Sequence, residues 1–135
     1  MKDQLYFSKF QYEVLINKKV LICDDYKDIS EVTKIILSES GYEVKNVYNC
    51  DNIVNDVEEF LPDVVLMDLR VPKKGGEYAT KLLKSNEKTK LIPVLIFSAN
   101  HQAVKIAEEV GADGFVSKPF DIDILTALIE HHINK

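Results

Sequence analysis

Three stretches of the chain, residues 19–24 (KVLICD), 63–68 (DVVLMD) and 92–97 (IPVLIF), are nearly unbroken apolar runs of strand length. A strand with one face in water alternates apolar and polar residues, whereas a continuous apolar run suits a strand covered on both faces. Segments with helical spacing separate the runs. Asp28 followed by Glu31 has the form of a capping box, Ile29, Val32 and Ile36 fall on one helical face, and Gly41 is placed to end the helix. Residues 42–47 (YEVKNV) read as a further strand, after which Asp51 caps a helix that turns Ile53, Val57 and Phe60 inward and closes at Pro62. A helix over about 77–85 carries Tyr78 and Leu82 on its apolar side, and residues 101–110 form another that ends at Gly111. Residues 114–117 (GFVS) make a short last strand, and Asp121 caps a final helix with Ile122, Leu125, Leu128 and Ile129 inward. Five strands alternating with five helices predict an α/β fold, a parallel sheet with helices on both faces.

The length of 135 residues suits one compact domain. A net charge of −5 argues against nucleic acid or an anionic membrane as the main partner, since both reward positive charge. The apolar runs are too short to span a bilayer and the start, MKDQ, is no secretory signal, so a cytoplasmic protein is expected. Cys23 lies in an apolar strand and Cys50 in a polar turn; they read as two reduced thiols, and without a nearby histidine they make a poor metal site.

In open parallel sheets, ligands bind at the carboxyl ends of the strands near the point where strand order reverses. The residues predicted there are Asp24 and Asp25, Asp68, Ser98, and Lys118 followed by Pro119. Taken singly, each is as well explained by a turn or a helix cap. Taken together, they offer complementary chemistry. Three converging carboxylates repel one another unless a cation neutralises them, and a hard ion such as Mg²⁺ accepts oxygen ligands alone. With Lys118 on the other side of Asp68, incoming phosphoryl oxygens would meet positive charge twice, and Ser98 would donate a hydrogen bond. An oxygen nucleophile with charge neutralisation on the transferred group is what phosphoryl transfer to a carboxylate requires.

From residue 19 to the C-terminus, the sequence resembles the receiver domain of two-component response regulators. The resemblance rests on "LICDDYKD", "LMDLRVPKKGG", "IFSAN" and "GADGFVSKPF". It implies a flavodoxin-like (CheY-like) fold with strand order 2-1-3-4-5. It also implies that Asp68 is phosphorylated from a histidine phosphate, that Asp25, Asp68 and the Arg70 backbone carbonyl bind Mg²⁺, and that Asp24 acts through a bound water. Lys118 would pair first with Asp68 and then with a phosphoryl oxygen. Ser98 and Phe115 would form the switch pair, reporting to the face made by the fourth helix, fifth strand and fifth helix, although core packing explains Phe115 equally well. The bond before Pro119 would be cis. The implied partners are a sensor histidine kinase or histidine phosphotransfer protein and a downstream protein, with the domain a monomer or a phosphorylation-dependent dimer.

Some positions stand apart from the family pattern. Arg70 and Asn100, two residues after Asp68 and Ser98, occupy places that flank the path of an attacking water in receivers and would tune the lifetime of the phosphoryl group. Lys73, Lys74, Gly75 and Gly76 read as a basic, flexible, solvated turn, and His101, His131 and His132 as surface residues. Residues 1–18 lie outside the resemblance: they fit a strand and a helix equally, and are expected to form an added element, a dimerisation arm or a linker from a larger protein such as a hybrid kinase. If the chain is complete, with no effector domain after the last helix, output is expected through docking or phosphate relay. Other classes fit less well. Mg²⁺-dependent aspartyl-phosphate phosphohydrolases carry a second acid where this chain has Arg70, a flavin carrier needs a hydroxyl-rich phosphate loop after the first strand, and a protein-binding pseudo-receiver would have lost the acidic set.

Overall fold

A computed structural model describes residues 18–70 and 75–134. Five strands, β1 (Lys19–Cys23), β2 (Glu43–Val47), β3 (Val64–Asp68), β4 (Val94–Ser98) and β5 (Gly114–Ser117), alternate with α1 (Lys27–Glu39), α2 (Ile53–Phe60), α3 (Gly75–Ser85), α4 (Ala103–Glu109) and α5 (Ile122–Ile133). The strands form one parallel sheet in the order β2-β1-β3-β4-β5. All residues of β3 and β4 are buried, as apolar runs covered on both faces should be.

Alternation along each strand divides the interior in two. Val20, Ile22, Val64, Leu66, Leu95 and Phe97 pack with Leu37 of α1 and with Leu125 and Ile129 of α5. Leu21, Cys23, Val65, Met67, Val94 and Ile96 pack on the opposite face with Ile53 and Val57 of α2, Ala79 and Leu83 of α3, and Ala107 of α4. Two helices therefore cover one face and three the other. At its start α5 is capped as expected: the Asp121 carboxylate accepts the Asp123 N–H at 2.8 Å.

Several local expectations are corrected. Asp28 does not cap α1; it lies in the first turn behind Tyr26, and Glu31 instead accepts the Tyr48 hydroxyl at 2.9 Å. The inward face of α1 is Ser30, Thr33 and Leu37, while Ile29 and Val32 are exposed. Asn52 rather than Asp51 precedes α2. Tyr78 points outward from α3, whose buried residues are Gly76, Ala79, Thr80 and Leu83. Gly75 and Gly76 are not a loose turn but the first residues of α3. His132 is a buried residue on α5, close enough to β5 that a Cβ on Gly114 would stand 3.1 Å from its Nε2. Residues 1–17 and the pair Lys73 and Lys74 lie outside the described residues.

Candidate functional site

The order of the sheet reverses at β1, which has β2 on one side and β3 on the other. The carboxyl ends of β1 and β3 therefore flank the crevice expected to receive a ligand. Asp68 ends β3 and Asp24 follows β1; both are almost fully buried, whereas Asp25 is exposed. Oxygen atoms of Asp24, Asp25 and Asp68 lie within 4.8 Å of one another.

Lys118, just past β5, reaches across to the pair. Its Nζ donates to Asp68 Oδ2 at 3.2 Å and to Asp24 Oδ2 at 3.4 Å. Below the ammonium is the ring of Phe97, with its centroid 4.4 Å away, so a cation–π contact helps to hold the lysine. The peptide bond between Lys118 and Pro119 is cis, as the resemblance implied. Backbone groups take the remaining carboxylate oxygens: the Arg70 N–H donates to Asp68 Oδ1 and the Tyr26 N–H to Asp24 Oδ1, each at 3.0 Å. Burial pushes the Asp24 carboxyl above the ordinary range, and the Tyr26 N–H and Lys118 only partly offset it. A donor set made of three carboxylates, with no nitrogen or sulfur, matches a hard oxygen-seeking cation.

Ser98 ends β4 and is buried; its hydroxyl oxygen accepts the Asn100 N–H at 3.1 Å, and its carbonyl accepts the Lys118 N–H at 2.9 Å. Phe115 pairs with Ile96 across β4 and β5 and is half-buried. Since Ile96 and Ser98 share a face, Phe115 and Ser98 project to the same side of the sheet.

The helix following Asp68 approaches unusually closely. A Cβ on Gly76 would stand 2.3 Å from the Asp68 carbonyl oxygen, so only glycine fits there. This requirement was not read from the sequence, although the paired glycines after β3 were its trace. A second feature also escaped. Ile29, Val32 and Ile36 of α1 face an apolar groove of about 550 Å³ whose other walls include Ala99, Pro119 and Phe120, with Lys118 at its edge.

Residues 20–130 match the response regulator receiver domain. The chain belongs to that family. The receiver is 31% identical over 111 residues to a CAI-1 autoinducer sensor kinase/phosphatase of Vibrio cholerae, covering 80% of this chain and 16% of that protein. It is 30% identical over 115 residues to the phosphate regulon transcriptional regulatory protein PhoB of Klebsiella pneumoniae, covering 84% of this chain and 50% of that protein. The receiver thus spans half or less of the length of these relatives. In fold it resembles the receiver domain of a Pseudomonas aeruginosa sensor histidine kinase, solved with a magnesium ion coordinated in the active site cleft. That likeness has a TM-score of 0.81 at 24% identity and covers 87% of this chain and 98% of the other. The receiver is a signalling domain of two-component systems. Among its described residues, no helix is long and apolar enough to cross a membrane.

Proposed function

We propose that this receiver accepts a phosphoryl group on Asp68 from a histidine phosphate on a partner protein and changes its partner-binding face in response. The observation that carries the reading is Lys118 Nζ bridging two buried carboxylates while a third acid stands within 4.8 Å at the open side. Asp25, Asp68 and the Arg70 backbone carbonyl would hold Mg²⁺, with Asp24 acting through a water. Bound there, the ion supplies the positive charge that keeps three carboxylates together and neutralises the transferred group.

The chain's own groups do the rest. The Arg70 N–H fixes one oxygen of Asp68 and leaves the carboxylate oriented toward the cleft as nucleophile. Lys118, held on Phe97, exchanges its bond to Asp68 for one to a phosphoryl oxygen, and thereby neutralises negative charge that the transferred group brings into the site. Ser98 turns its hydroxyl from the Asn100 N–H toward that group, and Phe115, on the same side of the sheet, moves with it. Arg70 and Asn100 then stand beside the path of a hydrolysing water and set the lifetime of the phosphoryl group. Since the domain modifies itself, it needs no outside substrate beyond the phosphodonor.

A protein donor fits, because Lys118 of the site also lines an apolar groove faced by Ile29 and Val32, a surface that suits another chain better than a small phosphate ester. A sensor histidine kinase or a histidine phosphotransfer protein fits this chemistry, and a further protein reads the altered face. Residues 19–135 are the receiver unit and residues 1–18 an added element or linker; the likeness to a sensor kinase favours a second arrangement in which the unit is the receiver portion of a hybrid kinase.

The test is incubation with Mg²⁺ and acetyl phosphate followed by intact mass. One added phosphoryl group is expected on the wild type and none on Asp68→Asn; an unlabelled wild type, or equal labelling of the variant, refutes the assignment.

A further inference from the structure

Beneath the carboxylates, on the opposite face of the sheet, sit two thiols that phosphoryl transfer does not use. Cys23 ends β1 and is fully buried; Cys50 lies half-buried in the turn between β2 and α2, between the exposed Asn49 and Asp51. Both are free thiols, yet their Sγ atoms are 3.2 Å apart, only about 1 Å more than the ~2.05 Å of a sulfur–sulfur bond.

The approach is not an accident of two mobile side chains, because the backbone around them is already clasped. The Asp24 N–H donates to the Val47 carbonyl at 3.1 Å, and Cys23 Sγ lies 3.6 Å from the Asn49 carbonyl. Cys50 Sγ also rests 3.9 Å from the Met67 thioether, on the strand residue paired with Cys23. The turn carrying Cys50 is therefore laid across the end of β1, and closing the remaining gap needs side-chain rotation rather than movement of a strand.

We propose that Cys23 and Cys50 are a redox-active dithiol that closes to an intramolecular disulfide on reaction with a peroxide. Cys50 is the attacking sulfur, since solvent reaches it and not Cys23. The thiol of Cys23, donating to Cys50, holds the latter below the ordinary cysteine range and so favours its thiolate. The thiolate attacks one peroxide oxygen, the O–O bond breaks, and hydroxide leaves with the second oxygen, giving Cys50 sulfenic acid. The Cys23 sulfur then attacks the Cys50 sulfur; the S–O bond breaks, the sulfur–sulfur bond forms, and the Cys23 proton leaves with the departing hydroxide as water. In sum, two thiols and one peroxide give one disulfide and two waters. The bond ties the turn to the residue before Asp24, so the oxidation state is written into the strand that carries the acidic site. The proposal stands apart from phosphorylation, as none of its chemistry involves Asp68.

The experiment exposes the reduced full chain to hydrogen peroxide, then unfolds it in N-ethylmaleimide and measures intact mass and a non-reducing peptide map. The expected result is loss of two hydrogens, no maleimide adduct, a linked peptide pair containing Cys23 and Cys50, and full reversal by dithiothreitol. Cys50→Ser should keep one reactive thiol, Cys23, and Cys23→Ser should leave a Cys50 sulfenic acid that dimedone traps. Because Cys23→Ser alters the buried sheet, the wild-type map decides by itself if that variant fails to fold. Two maleimide adducts after peroxide, a bond found only between chains, or oxidation of Cys50 beyond sulfenic acid with Cys23 still free would each overturn the proposal.

Discussion

At the scale of single residues, the site is a problem in charge. Asp24 and Asp68 are buried beside each other, and Lys118 is the group that makes this tolerable. Lys118→Ala is expected to slow labelling by acetyl phosphate about 10²-fold, the size of effect that follows loss of one preorganised charge partner, as read by intact mass against time. Asp24 allows a test of sign. Its carboxyl is raised by burial, so the folded state holds the proton more tightly than the unfolded chain does. The group therefore lowers the stability of the metal-free protein progressively as pH rises from its unfolded pKa through its raised folded one. Asp24→Asn should raise the Tm of the metal-free protein at neutral pH and leave it unchanged in acid, where the Asp24 carboxyl is protonated in the folded and unfolded states alike; a thermal-melt series across pH checks this, and no gain at neutral pH counts against it. Asp24, Asp25, Asp68, Ser98 and Lys118 were legible in the sequence because each follows an apolar run, and the ends of parallel strands share one edge. Phe97 under Lys118 was not, because an aromatic ring inside a buried strand leaves the same trace whether or not a cation rests on it.

At the scale of elements, two helices show what periodicity can and cannot decide. In α1, Ile29, Val32 and Ile36 keep helical spacing as well as any core face, yet the helix buries Ser30, Thr33 and Leu37. Small side chains let it approach the sheet, and Thr33 satisfies its own hydroxyl by donating to the Ile29 carbonyl at 2.9 Å. An apolar stripe on a helix bears on burial somewhere, and a partner protein can supply it as well as a sheet. Val32→Glu is thus expected to change stability by no more than about 0.5 kcal/mol, to leave labelling by acetyl phosphate intact, and to slow transfer from a phosphohistidine protein at least about tenfold. Equal loss with both donors would show that the substitution harms the cleft rather than docking. In α3 the constraint is closeness: a methyl group on Gly76 has nowhere to go against the Asp68 carbonyl. Gly76→Ala should cost about 1–3 kcal/mol in urea unfolding, as overpacking does, and should also slow labelling, since the displaced backbone carries Asp68.

At the scale of the whole molecule, the sheet order explains why the acids meet. With β1 between β2 and β3, the chain leaves β1 toward one face and β3 toward the other, and the crevice between the two exits is where Asp24 and Asp68 end. The order itself could not be derived from apolar runs alone, since they fix how many strands are buried and not which neighbours they choose; the quoted motifs supplied it. What the runs do fix is where the cooperative unit lies. Among the described residues every strand and helix falls between Lys19 and Ile133, and the two clusters on either side of the sheet share the same central strands, β1, β3 and β4, so neither can melt without exposing the other. A chain beginning at Lys18 is therefore expected to unfold in urea in a single transition, with circular dichroism and intrinsic tyrosine fluorescence coincident, and to label on Asp68 at the rate of the full chain. A fragment that labels normally but unfolds with a lower midpoint would place residues 1–17 against the domain as a stabilising element. One that fails to fold would show that the receiver unit does not start where its first strand does.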